Sequence, residues 1–270
     1  VIMYEETVDQ ATTGGQNFVE LLRSRGIEAG IKLDKGLVPI GGTDGETATQ
    51  GLDGLNARAA EFYGKGCRFA KWRAVLKIGN GCPSMVSIRE TAHTLARYGS
   101  ICQDNGLVPI IEPEILTDGG HSIEECARVS ELVFRTVMQA MLDQDLIIEG
   151  TLLKPNMVTA GAAHAEQGSA EQIAWLTVRT LSRSIVPALP GVVFLSGGQS
   201  EESASLNLNA MNKLENIAKP WALTFSYGRA LQQSVLKAWR GDAANVAAAQ
   251  AALLERAQAN GNAAQGKYTG

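Results

Sequence analysis

The chain has 270 residues, 45% hydrophobic and 19% charged, enough to bury roughly three quarters of its unfolded surface in one domain, which excludes a disordered or fibrous protein. Its 24 basic residues are outweighed by 28 acidic ones, so it lacks the positive field that draws in a phosphate backbone, and no nucleic-acid partner is expected. Lys, Arg, Asp or Glu interrupts every apolar run short of the roughly 20 residues of a membrane span, so no membrane partner is expected either.

Seven short apolar runs, residues 1–5, 30–33, 68–78, 107–112, 150–154, 192–195 and 222–227, alternate with longer segments of helical period. That alternation is the signature of βα units around a parallel sheet. The pair Pro83-Ser84 opens a helix expected to run to about Tyr98. Residues 118–122 open the next, in which Val129, Leu132, Val133 and Val137 recur three and four apart. Ser169, followed three residues on by Gln172, is a capping pattern that introduces Ile173, Trp175 and Leu176 on one face. The Ala-rich stretch 243–259 reads as a last helix capped by Asp242, with an unstructured Gly-containing end. The loop 41–45 precedes no clear strand-to-helix junction and reads as a surface turn.

No repeat or linker divides the chain, so residues 1–270 are expected to form one domain. A (β/α)8 TIM barrel takes about 250 residues and eight strands, whereas an open doubly wound sheet needs only about five or six. Seven runs, the first beginning at Val1, predict a barrel with about seven of its eight strands present and one preceding Val1. The open sheet stays as the alternative.

Cys67, Cys82, Cys102 and Cys126 form no CxxC pair, and His93, His121 and His164 have no metal-ligand spacing. A reducing compartment and no protein-bound metal or cofactor follow.

Strands of a parallel barrel should be continuously apolar, yet several here carry charges. Lys71 and Arg73 are two apart, as are Glu112 and Glu114, so by the period of two each pair shares a strand face. Lys154 closes the run Leu152-Leu153 just before Pro155, and Lys32 sits in Gly-Ile-Lys-Leu-Asp. In a barrel such strand ends converge on the carboxyl mouth, where the chemistry sits. A desolvated lysine beside a second cation loses its proton readily and can attack a carbonyl to form a Schiff base. Lys154 with Lys71 is the candidate pair, and Glu112 and Glu114 are the candidate proton-transfer groups.

Two Gly-rich turns after the last two strands point to an anionic, phosphorylated ligand. Ser196, Gly197 and Gly198 lead into a helix N-terminus, and the Gly228 amide stands beside the Arg229 fork. Lys32 and Arg73 are further cations for the same ligand.

The stretches Glu149-Gly-Thr-Leu-Leu-Lys-Pro-Asn-Met-Val-Thr, Phe69-Ala-Lys-Trp-Arg, Val108-Pro-Ile-Ile-Glu-Pro-Glu-Ile-Leu, Phe194-Leu-Ser-Gly-Gly-Gln-Ser-Glu and Leu223-Thr-Phe-Ser-Tyr-Gly-Arg-Ala-Leu-Gln closely resemble class I fructose-1,6-bisphosphate aldolase. The likeness spans essentially the whole chain. It implies a lyase of glycolysis and gluconeogenesis that reversibly cleaves fructose 1,6-bisphosphate to dihydroxyacetone phosphate and glyceraldehyde 3-phosphate without a metal. The family's Schiff-base lysine falls on Lys154, its acid/base glutamate on Glu112, a second assisting glutamate on Glu114 and the substrate-positioning lysine on Lys71. Its phosphate contacts fall on Ser196, Gly197, Gly228 and Arg229 at one end of the substrate, with Lys32 and Arg73 near the other. A homotetramer and a cytoplasmic location are implied, with a plastid location open if a leader precedes Val1. Members also carry an N-terminal segment with a strand and an active-site aspartate, and a C-terminal tail ending in tyrosine; the expectation is that both lie outside this chain. Another Schiff-base sugar-phosphate aldolase, a transaldolase, or a non-catalytic scaffold on the same fold remain as alternatives.

Overall fold

The computed structural model describes residues 1–270. Strands β1 (Ile2–Met3) and β2 (Gly30–Lys32) begin the main sheet, β3 (Leu37–Pro39) and β4 (Thr47–Thr49) form a separate antiparallel hairpin, and β5 (Phe69–Leu76), β6 (Val108–Ile115), β7 (Leu152–Leu153), β8 (Gly191–Phe194) and β9 (Ala222–Phe225) complete the sheet. The seven main strands lie in chain order, β1-β2-β5-β6-β7-β8-β9, and every adjacent pair is parallel. Parallel neighbours need crossovers, and helices supply them. These are α1 (Glu5–Val8), α2 (Phe18–Ser24), α3 (Leu55–Gly64), α4 (Met85–Asp104), α5 (Ile123–Asp143), α6 (Ala170–Ser184), α7 (Glu201–Lys213), α8 (Arg229–Trp239) and α9 (Val246–Ala264). No helix is long and apolar enough to cross a membrane.

The sheet curls. Side chains from both edge strands, Ile2 of β1 and Phe225 of β9, line one cavity of about 600 Å³ together with Phe69, Ile110, Leu152 and Val193 from the strands between. A flat sheet would hold its edges apart by six inter-strand steps of roughly 4.8 Å each, too far for one cavity of that size. The chain therefore has the architecture of a (β/α)8 barrel, with seven strands here, and not the open doubly wound sheet.

The two faces of β5 show how the residues divide. Ala70, Trp72 and Ala74 are buried and turn outward to the helices, where the Trp72 ring meets Tyr98 of α4 at 5.2 Å between centroids. Phe69, Lys71 and Arg73, one residue out of phase, turn inward. A cluster of 55 buried apolar residues joins sheet and helices.

Helix starts follow the serine signals. Ser84, Ser122, Ser169 and Ser200 each accept a hydrogen bond from the backbone N–H three residues on, a cap worth about 1 kcal/mol each. The helix from Ser84 continues to Asp104 rather than ending near Tyr98, because the fully buried Cys102 continues its core face. The last helix also runs past the expected 259. Asn260 and Ala263 are fully buried, and the Asn260 Oδ1 accepts from the Ser205 hydroxyl of α7 at 2.7 Å, so the Gly-containing end is ordered by tertiary contact.

Candidate active site

The alignment of β5, β6 and β7 builds the centre. Arg73 pairs in register with Glu112, Lys71 with Ile110, and Ile111 with Leu153, so Lys154, one residue beyond, stands beside Glu112. The ladder to β6 ends there, and Pro155 turns its backbone the other way, its carbonyl accepting from Leu195 N at 3.1 Å. β6 nevertheless continues through Pro113 to Ile115, past the expected end at Glu112. The Ile111 carbonyl accepts from Lys154 N at 2.7 Å, so odd-numbered residues of β6 present their backbone toward β7. Pro113 lacks its donor on that side, beyond the last paired residue of β7, and the Ile115 N–H is taken up by the Asn156 side chain at 3.0 Å.

Three predicted residues meet at one carboxylate. Lys154 Nζ lies 3.1 Å from Glu112 Oε1, and Lys71 Nζ lies 3.0 Å from Glu112 Oε2. Glu112 is 3% exposed and Lys154 9%. Oε2 has no partner at hydrogen-bond angles although Lys71 is in ion-pair range. Burial depresses the Lys154 pKa from the ordinary lysine value; the Glu112 charge opposes the shift and the Lys71 charge reinforces it. Lys71 and Lys154 both line the inner cavity, together with Ser226 and Gly228.

Glu114 is placed otherwise. It forms an ion pair with Arg73 Nε, which raises the Arg73 pKa, and no contact brings it to Lys154. Lys32 and Lys71 face each other in register across β2 and β5, a like-charge opposition that Asp34 relieves. Asp34, 6% exposed, holds Lys32 Nζ at 2.6 Å through Oδ1, lies 3.6 Å from Lys71 Nζ, and accepts from the Arg73 N–H at 3.2 Å. Sequence reasoning passed over Asp34, although its position two beyond Lys32 puts both on one strand face.

The Gly-rich turns follow neighbouring strands. Phe194 and Phe225 pair in register, so Ser196 and Tyr227 occupy equivalent positions just past the two strand ends, and the Ser226 N–H donates to the Phe194 carbonyl at 2.8 Å. Ser196 is buried. Gly197 and Gly198 have φ of 55° and 79°, the left-handed region open to glycine. The Tyr227 hydroxyl donates to the Ala204 carbonyl of α7 at 3.0 Å, fixing the turn from which Gly228 and the exposed Arg229 start α8. Both turns sit at the carboxyl mouth, with free amides and a helix N-terminus available to an anion.

Comparison with known proteins agrees with this architecture. The family model "Fructose-bisphosphate aldolase class-I" matches residues 1–270. The chain is 60% identical over 270 residues to fructose-bisphosphate aldolase 5, cytosolic, of Arabidopsis thaliana, covering all of this chain and 75% of that protein. It is 58% identical over 272 residues to the fructose-bisphosphate aldolase of Dictyostelium discoideum, covering 76% of it. Among solved structures, the Plasmodium falciparum fructose-bisphosphate aldolase, crystallised with TRAP and a small-molecule inhibitor, superposes with a TM-score of 0.97 at 56% identity, over all of this chain and 78% of that one. The chain belongs to the class I fructose-bisphosphate aldolase family.

Proposed function

We propose that Lys154 is the amine with which this class I aldolase reversibly cleaves fructose 1,6-bisphosphate into dihydroxyacetone phosphate and glyceraldehyde 3-phosphate. The observation that carries the assignment is the buried Lys154 amine 3.1 Å from a single carboxylate and depressed in pKa by its burial. The neutral amine attacks the C2 carbonyl of the ketose, and loss of water leaves an iminium. The electron pair of the C3–C4 bond then flows into the iminium as Glu112 takes the proton of the C4 hydroxyl, releasing glyceraldehyde 3-phosphate. The remaining enamine takes a proton at C3, and hydrolysis frees dihydroxyacetone phosphate and Lys154.

In this reading Lys71 holds the substrate and steadies Glu112. Ser196, Gly197, Gly228 and Arg229 bind the phosphate of the ketose end, while Lys32 and Arg73 serve the other phosphate. Glu114 acts through Arg73, whose guanidinium it anchors. The cytosolic names of plant relatives support a cytoplasmic location, and family membership supports a homotetramer, which sedimentation would test by showing four copies per particle. Turnover of fructose 1,6-bisphosphate by the wild type and by Lys154→Met tests the assignment. The wild type should yield both triose phosphates and the variant neither; a variant that still turns over would place the nucleophile elsewhere.

A further inference from the structure

Behind the Ser196–Gly198 turn lies a second cavity, of about 430 Å³, between the β7–α6 loop and helices α6 and α7. It is lined by 14 residues, none of them charged, and it shares none of the proposed catalytic groups Lys71, Glu112, Glu114 or Lys154. Its size is that of a small-molecule site, well above the roughly 30 Å³ share of one liquid water.

Its polar lining is under-used. The Gln199 amide nitrogen reaches only the Met157 sulfur at 3.4 Å, a weak acceptor. Asn207, 5% exposed, gives its amide N–H to Gln199 Oε1 at 2.6 Å and keeps its carbonyl oxygen unspent. Gln167 donates to the Gly161 and His164 carbonyls, leaving its own oxygen free. Spare donors and acceptors are thus interspersed around one space, with Ile173 and Leu206 giving it an apolar side.

We infer that this cavity binds a neutral polyhydroxyl molecule, a polyol or unphosphorylated sugar. Hydroxyls both donate and accept, matching a lining that offers both, and the C–H face of a sugar ring suits Ile173 and Leu206. A phosphorylated ligand would find no cation there. Thr117 and Gly197 both line the cavity, and the Thr117 hydroxyl donates to the Gly197 carbonyl at 3.0 Å. A bound polyol therefore rests against the back of the proposed phosphate turn.

Saturation-transfer NMR of the full chain with methyl α-glucoside tests this, because that probe is neutral and has no free carbonyl to react with lysine. Transfer to the glucoside should persist when dihydroxyacetone phosphate saturates the barrel. Ala162→Trp, at an exposed lining position, should abolish it, and Gln199→Met should weaken binding roughly five-fold, both with unchanged circular dichroism. No transfer to the wild type, displacement by dihydroxyacetone phosphate, or undiminished transfer in folded Ala162→Trp would each overturn the site. The inference does not depend on Lys154, so it stands or falls separately from the aldolase assignment.

Discussion

Lys154 and Glu112 face each other at 3.1 Å across adjacent strands, and the second oxygen of the same carboxylate is 3.0 Å from Lys71. The Glu112 carboxylate thus stands between the two lysine side chains.

Removing either neighbour should move the amine in opposite directions. Burial lowers the Lys154 pKa from 10.5, Glu112 raises it and Lys71 lowers it. Lys71→Met removes a repelling cation, so the midpoint for reductive trapping of the imine should shift to higher pH. Glu112→Gln removes the attracting anion, so the midpoint should shift to lower pH. Trapping rates measured across pH for each variant check the signs, and shifts in the same direction would contradict the arrangement.

Glu112→Gln should also lower turnover by roughly 10²- to 10⁴-fold, the usual worth of a positioned general base. Chelation by EDTA should leave the turnover of the wild type unchanged, since every step of the proposed cycle uses side chains and water. A steady-state cleavage assay reads both effects.

The shared strand faces of Lys71 with Arg73 and of Glu112 with Glu114 were legible from the period of two, and Lys154 from its place at the end of an apolar run just before Pro155. All seven main strands were legible as short apolar runs alternating with longer segments of helical period. Cross-strand register was not legible, and register decides that Glu112 meets both lysines while Glu114 goes to Arg73. The β3–β4 hairpin escaped notice because Leu37–Pro39 is short, partly exposed and contains proline; the loop 41–45 is its turn. The end of α9 escaped because Asn260, Gly261 and Asn262 argue locally against helix, and only burial of Asn260 against α7 outweighs that.

Asp34 is expected to act as a positioning residue. With both Lys32 and Lys71 leaning on its carboxylate, Asp34→Asn should free them and lower kcat/KM on the order of 10- to 100-fold. Asp34→Glu, which keeps the charge, should recover part of that loss. Equal defects in the two variants would assign Asp34 a packing role only.

The loops at the mouth depend on one glycine. A Cβ on Gly161 would stand 2.3 Å from the Gly119 carbonyl oxygen, where the Gly161, Ala162 and Ala163 N–H groups lace the β7–α6 loop to the His121, Thr117 and Gly119 carbonyls. Gly161→Ala should cost about 1–3 kcal/mol in chemical denaturation. A neutral result would mean the two loops separate freely.

Borohydride reduction with dihydroxyacetone phosphate, followed by peptide mass mapping, reaches the proposed covalent step itself. The reduced triose-phosphate adduct should sit on Lys154 and on no other lysine. An adduct on Lys71 or Lys32, or a protein left unmodified while still cleaving fructose 1,6-bisphosphate, would contradict the account.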